Sequence, residues 1–192
     1  NADNVGNDLI GDDVVLAAGS GEIGSFSNRL RLSANTIEAS SIDSSIYLNE
    51  ADTLNVVGGG LNAGSAQIGL DGGTFVLTTG GVVTTRVDVN GTLKLGAAGL
   101  IPDTTWISLS SAGIFDLNGF IETIGRYTSS SGTEVKLGSG TLTTINVHGS
   151  SSQGQITGAG NWTVQGSGEF NVYSNNTYTG TTIIDGPQFN AW

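Results

Sequence analysis

Val87-Asp88-Val89-Asn90-Gly91-Thr92-Leu93-Lys94-Leu95 decides how the rest of the chain is read. Two apolar-x-apolar runs, Val87/Val89 and Leu93/Leu95, flank an Asn-Gly step. Alternate side chains of a strand point to opposite faces, so each run sends one apolar pair inward. Asn-Gly tolerates positive φ and permits a tight corner between the runs. The unit recurs in both directions. Leading pairs are expected at Val14/Leu16, Leu30/Leu32, Ile46/Leu48, Ile68/Leu70, Val87/Val89, Ile107/Leu109 and Val135/Leu137, spaced 16 to 28 residues apart. Following pairs fall at Leu54/Val56, Phe75/Leu77, Leu93/Leu95 and Phe115/Leu117, with corners at Asp71-Gly72-Gly73, Asn90-Gly91 and Asn118-Gly119.

No segment carries apolar residues at helical spacing over three turns, and Gly interrupts every candidate. Short strands with frequent corners suit either an antiparallel sandwich, with Asn-Gly hairpins, or a solenoid whose corners turn the chain onto the next face of one coil. The repeated order of strand, short corner, strand, longer corner favours the solenoid. A single repeat cannot bury its apolar stripe, whereas a neighbour stacked about 4.8 Å away pairs its backbone and covers the stripe. The expected fold class is therefore all-β, a parallel β-helix without significant helix, continuous over residues 1–192.

Composition narrows the setting. The 192 residues include 31 Gly but no Gly-X-Y period, which excludes collagen. Charged residues make up only 12%, so the polar surface rests on Ser, Thr, Asn and Gly, as in many extracellular β-proteins. A net charge of −11 with six scattered Lys+Arg argues against nucleic acid and against an anionic membrane surface. Without cysteine there is no disulfide or thiolate metal site. No apolar stretch is long enough to span a bilayer, and no signal peptide or Met is present. The chain is expected to be a mature fragment of a longer secreted protein.

Three stretches carry a resemblance. Gly158-Ala159-Gly160-Asn161-Trp162-Thr163-Val164-Gln165-Gly166-Ser167-Gly168, followed by Ser174-Asn175-Asn176-Thr177-Tyr178-Thr179-Gly180-Thr181-Thr182-Ile183-Ile184-Asp185-Gly186, resembles the autotransporter-associated β-strand repeat. One Gly common between Gly180 and the Thr pair is missing. Leu93-Lys94-Leu95-Gly96, Asp116-Leu117-Asn118-Gly119-Phe120, Thr123-Ile124-Gly125 and Leu137–Thr143 are similar to the segment that accompanies this repeat in autotransporter passengers. Asp13–Gly24 with Leu30–Asn35 resembles repeats of filamentous-haemagglutinin-like exoproteins. Residues 1–60 thus resemble haemagglutinin-like rungs and residues 61–192 autotransporter-repeat rungs. The resemblance implies a right-handed parallel β-helix, type V secretion to the bacterial surface and no catalytic residues. Neither a translocator barrel nor a secretion domain is recognisable, which fits a fragment. Within the repeat, Tyr178 is expected to lie flat on the rung beneath, Gly180 to permit a turn, and Thr177, Thr179, Thr181 and Thr182 to form cross-rung ladders.

Residues with chemical potential are few. His148 is the only histidine, and no Ser or Cys motif points to it. Asp3, Asp8, Asp12 and Asp13, with Asn4 and Asn7, supply oxygens, but their spacing matches no calcium loop and they read as solvated corner residues. Asp88, Asp116, Glu122 and Glu134 are scattered, while Arg86 and Asp88 read as a surface ion pair. Trp106, Trp162 and Trp192 are weighed as a sugar-stacking platform, with Trp162 expected to face the core. Gly58-Gly59-Gly60 lacks the following helix of a phosphate loop. Gly96 to Trp106 and Ser129 to Gly132 are the expected protrusions. No catalytic, cofactor or metal site is assigned. The expected role is a stalk or adhesive segment of a secreted surface protein, meeting a host cell, another bacterium or a matrix. The alternatives are end-to-end self-association and a polysaccharide-active enzyme.

Overall fold

The computed structural model describes residues 7–146, 148–186 and 188–192. Four long strands open the chain: β1 (Leu9–Ala17), β2 (Leu30–Ser40), β3 (Ile46–Asn62) and β4 (Gln67–Leu77). Shorter ones follow: β5 (Val82–Val83), β6 (Arg86–Val89), β7 (Thr92–Leu95), β8 (Trp106–Leu109), β9 (Ile114–Asp116) and β10 (Ile121–Ile124). The remainder are β11 (Arg126–Ser129), β12 (Glu134–Lys136), β13 (Thr141–Ile145), β14 (Ser150–Ser152), β15 (Gln155–Thr157), β16 (Asn161–Gln165), β17 (Glu169–Val172), β18 (Thr182–Asp185) and β19 (Gln188–Ala191). Among the described residues there is no helix, and the strands pair in parallel as a β-solenoid of about nine turns.

The coil has three faces. On the first, Ile68, Val87, Ile107 and Tyr127 stand in register, and Ser150, Phe170 and Phe189 continue the column. On the second, Leu54, Phe75, Leu93, Phe115, Val135 and Ile156 stack in the same way. The third begins with Leu16, Ala39, Leu61 and Val82 and ends with Glu122, Leu142, Trp162 and Thr182. Its two halves are joined by irregular chain, where the Val82 amide donates to the Leu100 carbonyl at 2.9 Å and Ile101 is buried. Most of the large apolar residues meet in one shared interior, and that core runs the length of the coil.

Pairs from Ile46/Leu48 to Ile107/Leu109 form the first column, and all the following pairs lie on the second face, as the alternation predicts. Leu30/Leu32 is offset by two residues, with Leu30 against Leu48, Leu32 against Glu50 and Ile23 bridging to Ile46, and two further leading pairs sit elsewhere. Val135/Leu137 belongs to the second face, where Val135 pairs with Phe115. The rung above Ile107/Leu109 is Tyr127/Ser129, which an apolar-x-apolar search passes over because Ser129 is polar. Val14 and Leu16 stand against Ile37 and Ala39, not Leu30 and Leu32. The third face is visible in the pattern only in part, at Leu16 and at Trp162 with Val164, since its other inward positions include Ala39, Glu122 and Thr144.

The expected protrusions are also revised. Gly96 to Thr105 supplies the third-face rung, with Ile101 and Thr105 buried. Ser129 points inward, and only Ser130 to Gly132 is an exposed corner. A longer irregular run links β1 to β2 and carries Phe26, which is 70% exposed. At the corners, Asn118 and Gly119 take φ of 52° and 85° as expected. Asn90-Gly91 does not; Gly91 is needed because a Cβ would lie 2.3 Å from the Gly72 carbonyl oxygen. Gly180 is likewise a residue of close approach: a Cβ there would meet the Gly160 carbonyl oxygen at 2.1 Å.

Candidate binding face

When Val87 and Val89 point inward, Arg86 and Asp88 must point out. Parallel register then stacks Arg86, Trp106 and Arg126 on three successive rungs of the first face. The guanidinium carbons of Arg86 and Arg126 stand 4.0 and 4.2 Å from the centre of the Trp106 ring. Such contacts contribute about 0.5–2 kcal/mol each, depending on solvent exposure. The indole N–H donates to the Thr128 hydroxyl at 2.9 Å, which sets the ring's rotation. Asp88 accepts from Arg86 Nε at 2.8 Å and from Nη2 at 2.5 Å, the surface pair expected from the sequence. Arg126 donates through Nη2 to the Gly149 carbonyl at 2.6 Å, and among the described residues no carboxylate lies within ion-pair distance of it.

Two shallow hollows meet at Trp106. One, of about 440 Å³, is lined by Ser65, Gln67, Thr85 and Arg86; the other, of about 370 Å³, by Asp103, Gly125, Arg126, Ile145 and His148. Together they run along the coil beside the first face. This face and its rim hold all four arginines of the chain: Arg29, Arg31, Arg86 and Arg126. Arg29 pairs with Asp71 and lies 5.4 and 5.6 Å from the Phe26 and Tyr47 rings; Arg31 pairs with Asp8. Both lysines, Lys94 and Lys136, sit on the second face around Asp116.

The three tryptophans do not share a platform. The two guanidiniums flank Trp106 within stacking distance. Trp162 is 1% exposed in the core, as its alternation predicts, and Trp192 stacks on Tyr173 with centroids 6.4 Å apart. Tyr178 stands edge-on to Trp162 at 87° rather than flat, and its hydroxyl bonds to Thr182. That bond is within one rung, so Thr182 does not use it for a cross-rung ladder; the Thr181 amide goes to the Asn161 side chain at 2.8 Å.

The scattered acids fall in three places. Asp88 is on the first face, Asp116 and Glu134 are on the second, and Glu122 lies inside. Of the N-terminal oxygens, Asp8 bonds to Arg31, Asp12 to Asn35 and Asp13 to Thr36, each bridging to β2. Asp3 and Asn4 lie outside the described residues. Among the described residues no group of three His, Cys, Asp or Glu could hold a metal ion. His148 is exposed, on the wall of the hollow beside Arg126.

Two buried carboxyls escape sequence reasoning. Glu122 occupies an inward position, in register with Leu142, and is 2% exposed. Its Oε2 accepts from the Leu100 amide at 3.2 Å, so the side chain closes a gap in the third-face ladder. Burial pushes its pKa up to about 7. Glu50 sits where β3 and β4 shift register, accepts from the Ala51 amide at 2.8 Å, and is also raised by burial.

A relative in Escherichia coli (strain K12), an uncharacterized lipoprotein named YdeK, is 41% identical over 76 residues. The match covers 40% of this chain and 6% of the relative, so the chain corresponds to a small part of that protein's length. No protein-family model matches the chain, and no solved structure does either.

Proposed function

We propose that the chain is a structural segment of a bacterial cell-envelope protein, a rigid spacer whose side face makes the contacts with a cell surface or matrix. The observation that carries this reading is the unbroken interior: parallel ladders and one core join every rung from β1 to β19. About nine turns at ~4.8 Å each amount to roughly 40 Å of stiff rise. The 76-residue similarity to a lipoprotein supports an envelope setting, and the resemblance to autotransporter and haemagglutinin-like repeats supports a surface role.

The test displays the full chain on a non-adherent bacterium, between a lipid anchor and a terminal epitope. A spacer raises the epitope by about 40 Å over an anchor-only control, read by distance-dependent quenching from the membrane. An epitope at the height of the control would refute the spacer. Adherence to host cells, bacteria or matrix in the same strain would add the adhesive role.

A further inference from the structure

We infer that the paired hollows beside the first face form a binding groove for an acidic, uronate-bearing polysaccharide, with Arg126 as its principal anion contact. This deepens the surface-segment reading by naming a ligand class for its side face.

The chain has 17 Asp+Glu against six Lys+Arg, so carboxylates are plentiful. Arg29, Arg31 and Arg86 each have an acidic partner, yet Arg126 has none within ion-pair distance among the described residues. Its position is nonetheless fixed, by Trp106 below and the Gly149 carbonyl beside it. A planar cation held in place without a counter-ion, on the wall of a groove, is suited to an external carboxylate. Lys94 also has no carboxylate within ion-pair distance among the described residues, but it projects from the second face as a single ammonium.

The groove's form selects the ligand. It runs across the rungs, and its rim offers Ser45, Ser65, Thr85 and Gln67 as hydroxyl and amide partners. Trp106 and Ile145 supply apolar surface between them. Arg86 and Arg126 are two rungs apart, about 10 Å, a span comparable with two sugars of an extended chain. A peptide could not add here as a strand, because first-face strands from β4 to β19 are already paired on either side of Trp106. A flat anionic membrane would meet the net charge of −11 across a whole face, whereas a thin polymer meets the groove, whose lining holds Arg86 and Arg126 against the single carboxylate of Asp103.

The probe is a polygalacturonate oligomer titrated into the full chain, with dextran as a neutral comparator. Polygalacturonate is expected to bind, more weakly at high salt, and Arg126→Gln to weaken it about tenfold. Lys94→Gln removes the same charge from the second face and should leave binding within about twofold. Arg126→Gln keeps the far-ultraviolet spectrum and melting midpoint of the parent if only the groove is changed. No polygalacturonate binding, equal loss in Lys94→Gln, or equal binding of dextran would each overturn the inference. All three results leave the epitope-height measurement untouched, so this proposal and the spacer fail separately.

Discussion

The rung holding Ile107, Leu109, Phe115 and Leu117 and the rung holding Ser150, Ser152 and Ile156 share one backbone plan and differ in what fills it. In the first, the four side chains are fully buried hydrocarbon or nearly so. In the second, the first-face positions are hydroxyls, each satisfied by a neighbour. Ser150 donates to Asn146 Oδ1 at 2.6 Å, and Ser152 donates to the Gly154 carbonyl at 3.1 Å. Asn146 in turn donates to the Glu169 carbonyl at 2.7 Å, and Ser129 accepts from the Gln153 and Gly154 amides at 3.1 and 3.0 Å. A parallel coil, then, does not need an apolar residue at every inward position. It accepts a polar residue at an inward position where neighbours hydrogen-bond it, as here, because a buried polar group left unsatisfied costs about 1–3 kcal/mol.

The contrast can be broken most forcefully at Phe115. Phe115→Ala should cost about 3–5 kcal/mol in urea unfolding, since neighbouring rungs cannot close the hole. Ser152→Ala in the polar rung should cost much less, about 1 kcal/mol. Equal costs would show that the two rungs are stabilised alike.

Asn146→Ala removes partners from Ser150 and from the Glu169 carbonyl, and is expected to cost about 1–3 kcal/mol. A silent substitution, measured by the same unfolding, would mean the polar rung does not depend on its network. Gly160→Ala sharpens the comparison from the corner side. Its Cβ would lie 2.1 Å from the Gly140 carbonyl oxygen, and the glycines at 140, 160 and 180 repeat that approach. A loss of about 1–3 kcal/mol is expected, as for overpacking, whichever interior the rung carries.

Glu122 is the polar exception between apolar neighbours. Its pKa rises from 4.5 to about 7 on folding. Between these values the folded chain holds a proton that the unfolded chain has released, so stability falls as pH rises through that window. The slope is at most about 1.4 kcal/mol per pH unit. Glu122→Gln should flatten it, which melting midpoints at several pH values would register. The smallest effect belongs to the outer surface. Asp88→Asn should change stability by about 0–1 kcal/mol, because the pair with Arg86 is partly solvated.

Much of the fold was legible. The following pairs from Leu54/Val56 to Phe115/Leu117 lie where the pattern puts them, because period-two alternation of large apolar residues marks a strand with one buried side. The third face was legible only in part, at Trp162 and Val164, because Ala39, Glu122 and Thr144 carry no apolar signature and are inward only by register. The candidate face was half-legible: Arg86 and Asp88 are neighbours on one strand, but Trp106 and Arg126 lie a rung and two rungs further on.

By itself the sequence determined that the chain is all-β, coiled and built of short rungs with tight corners, since alternation and Gly/Asn placement act over a few residues. Only the tertiary structure decided which rung lies on which, where Val135/Leu137 belongs, why Gly180 is a glycine and how Arg86, Trp106 and Arg126 meet. Those contacts join residues about a full turn apart, and parallel pairing leaves no mark on the local pattern that would fix the register.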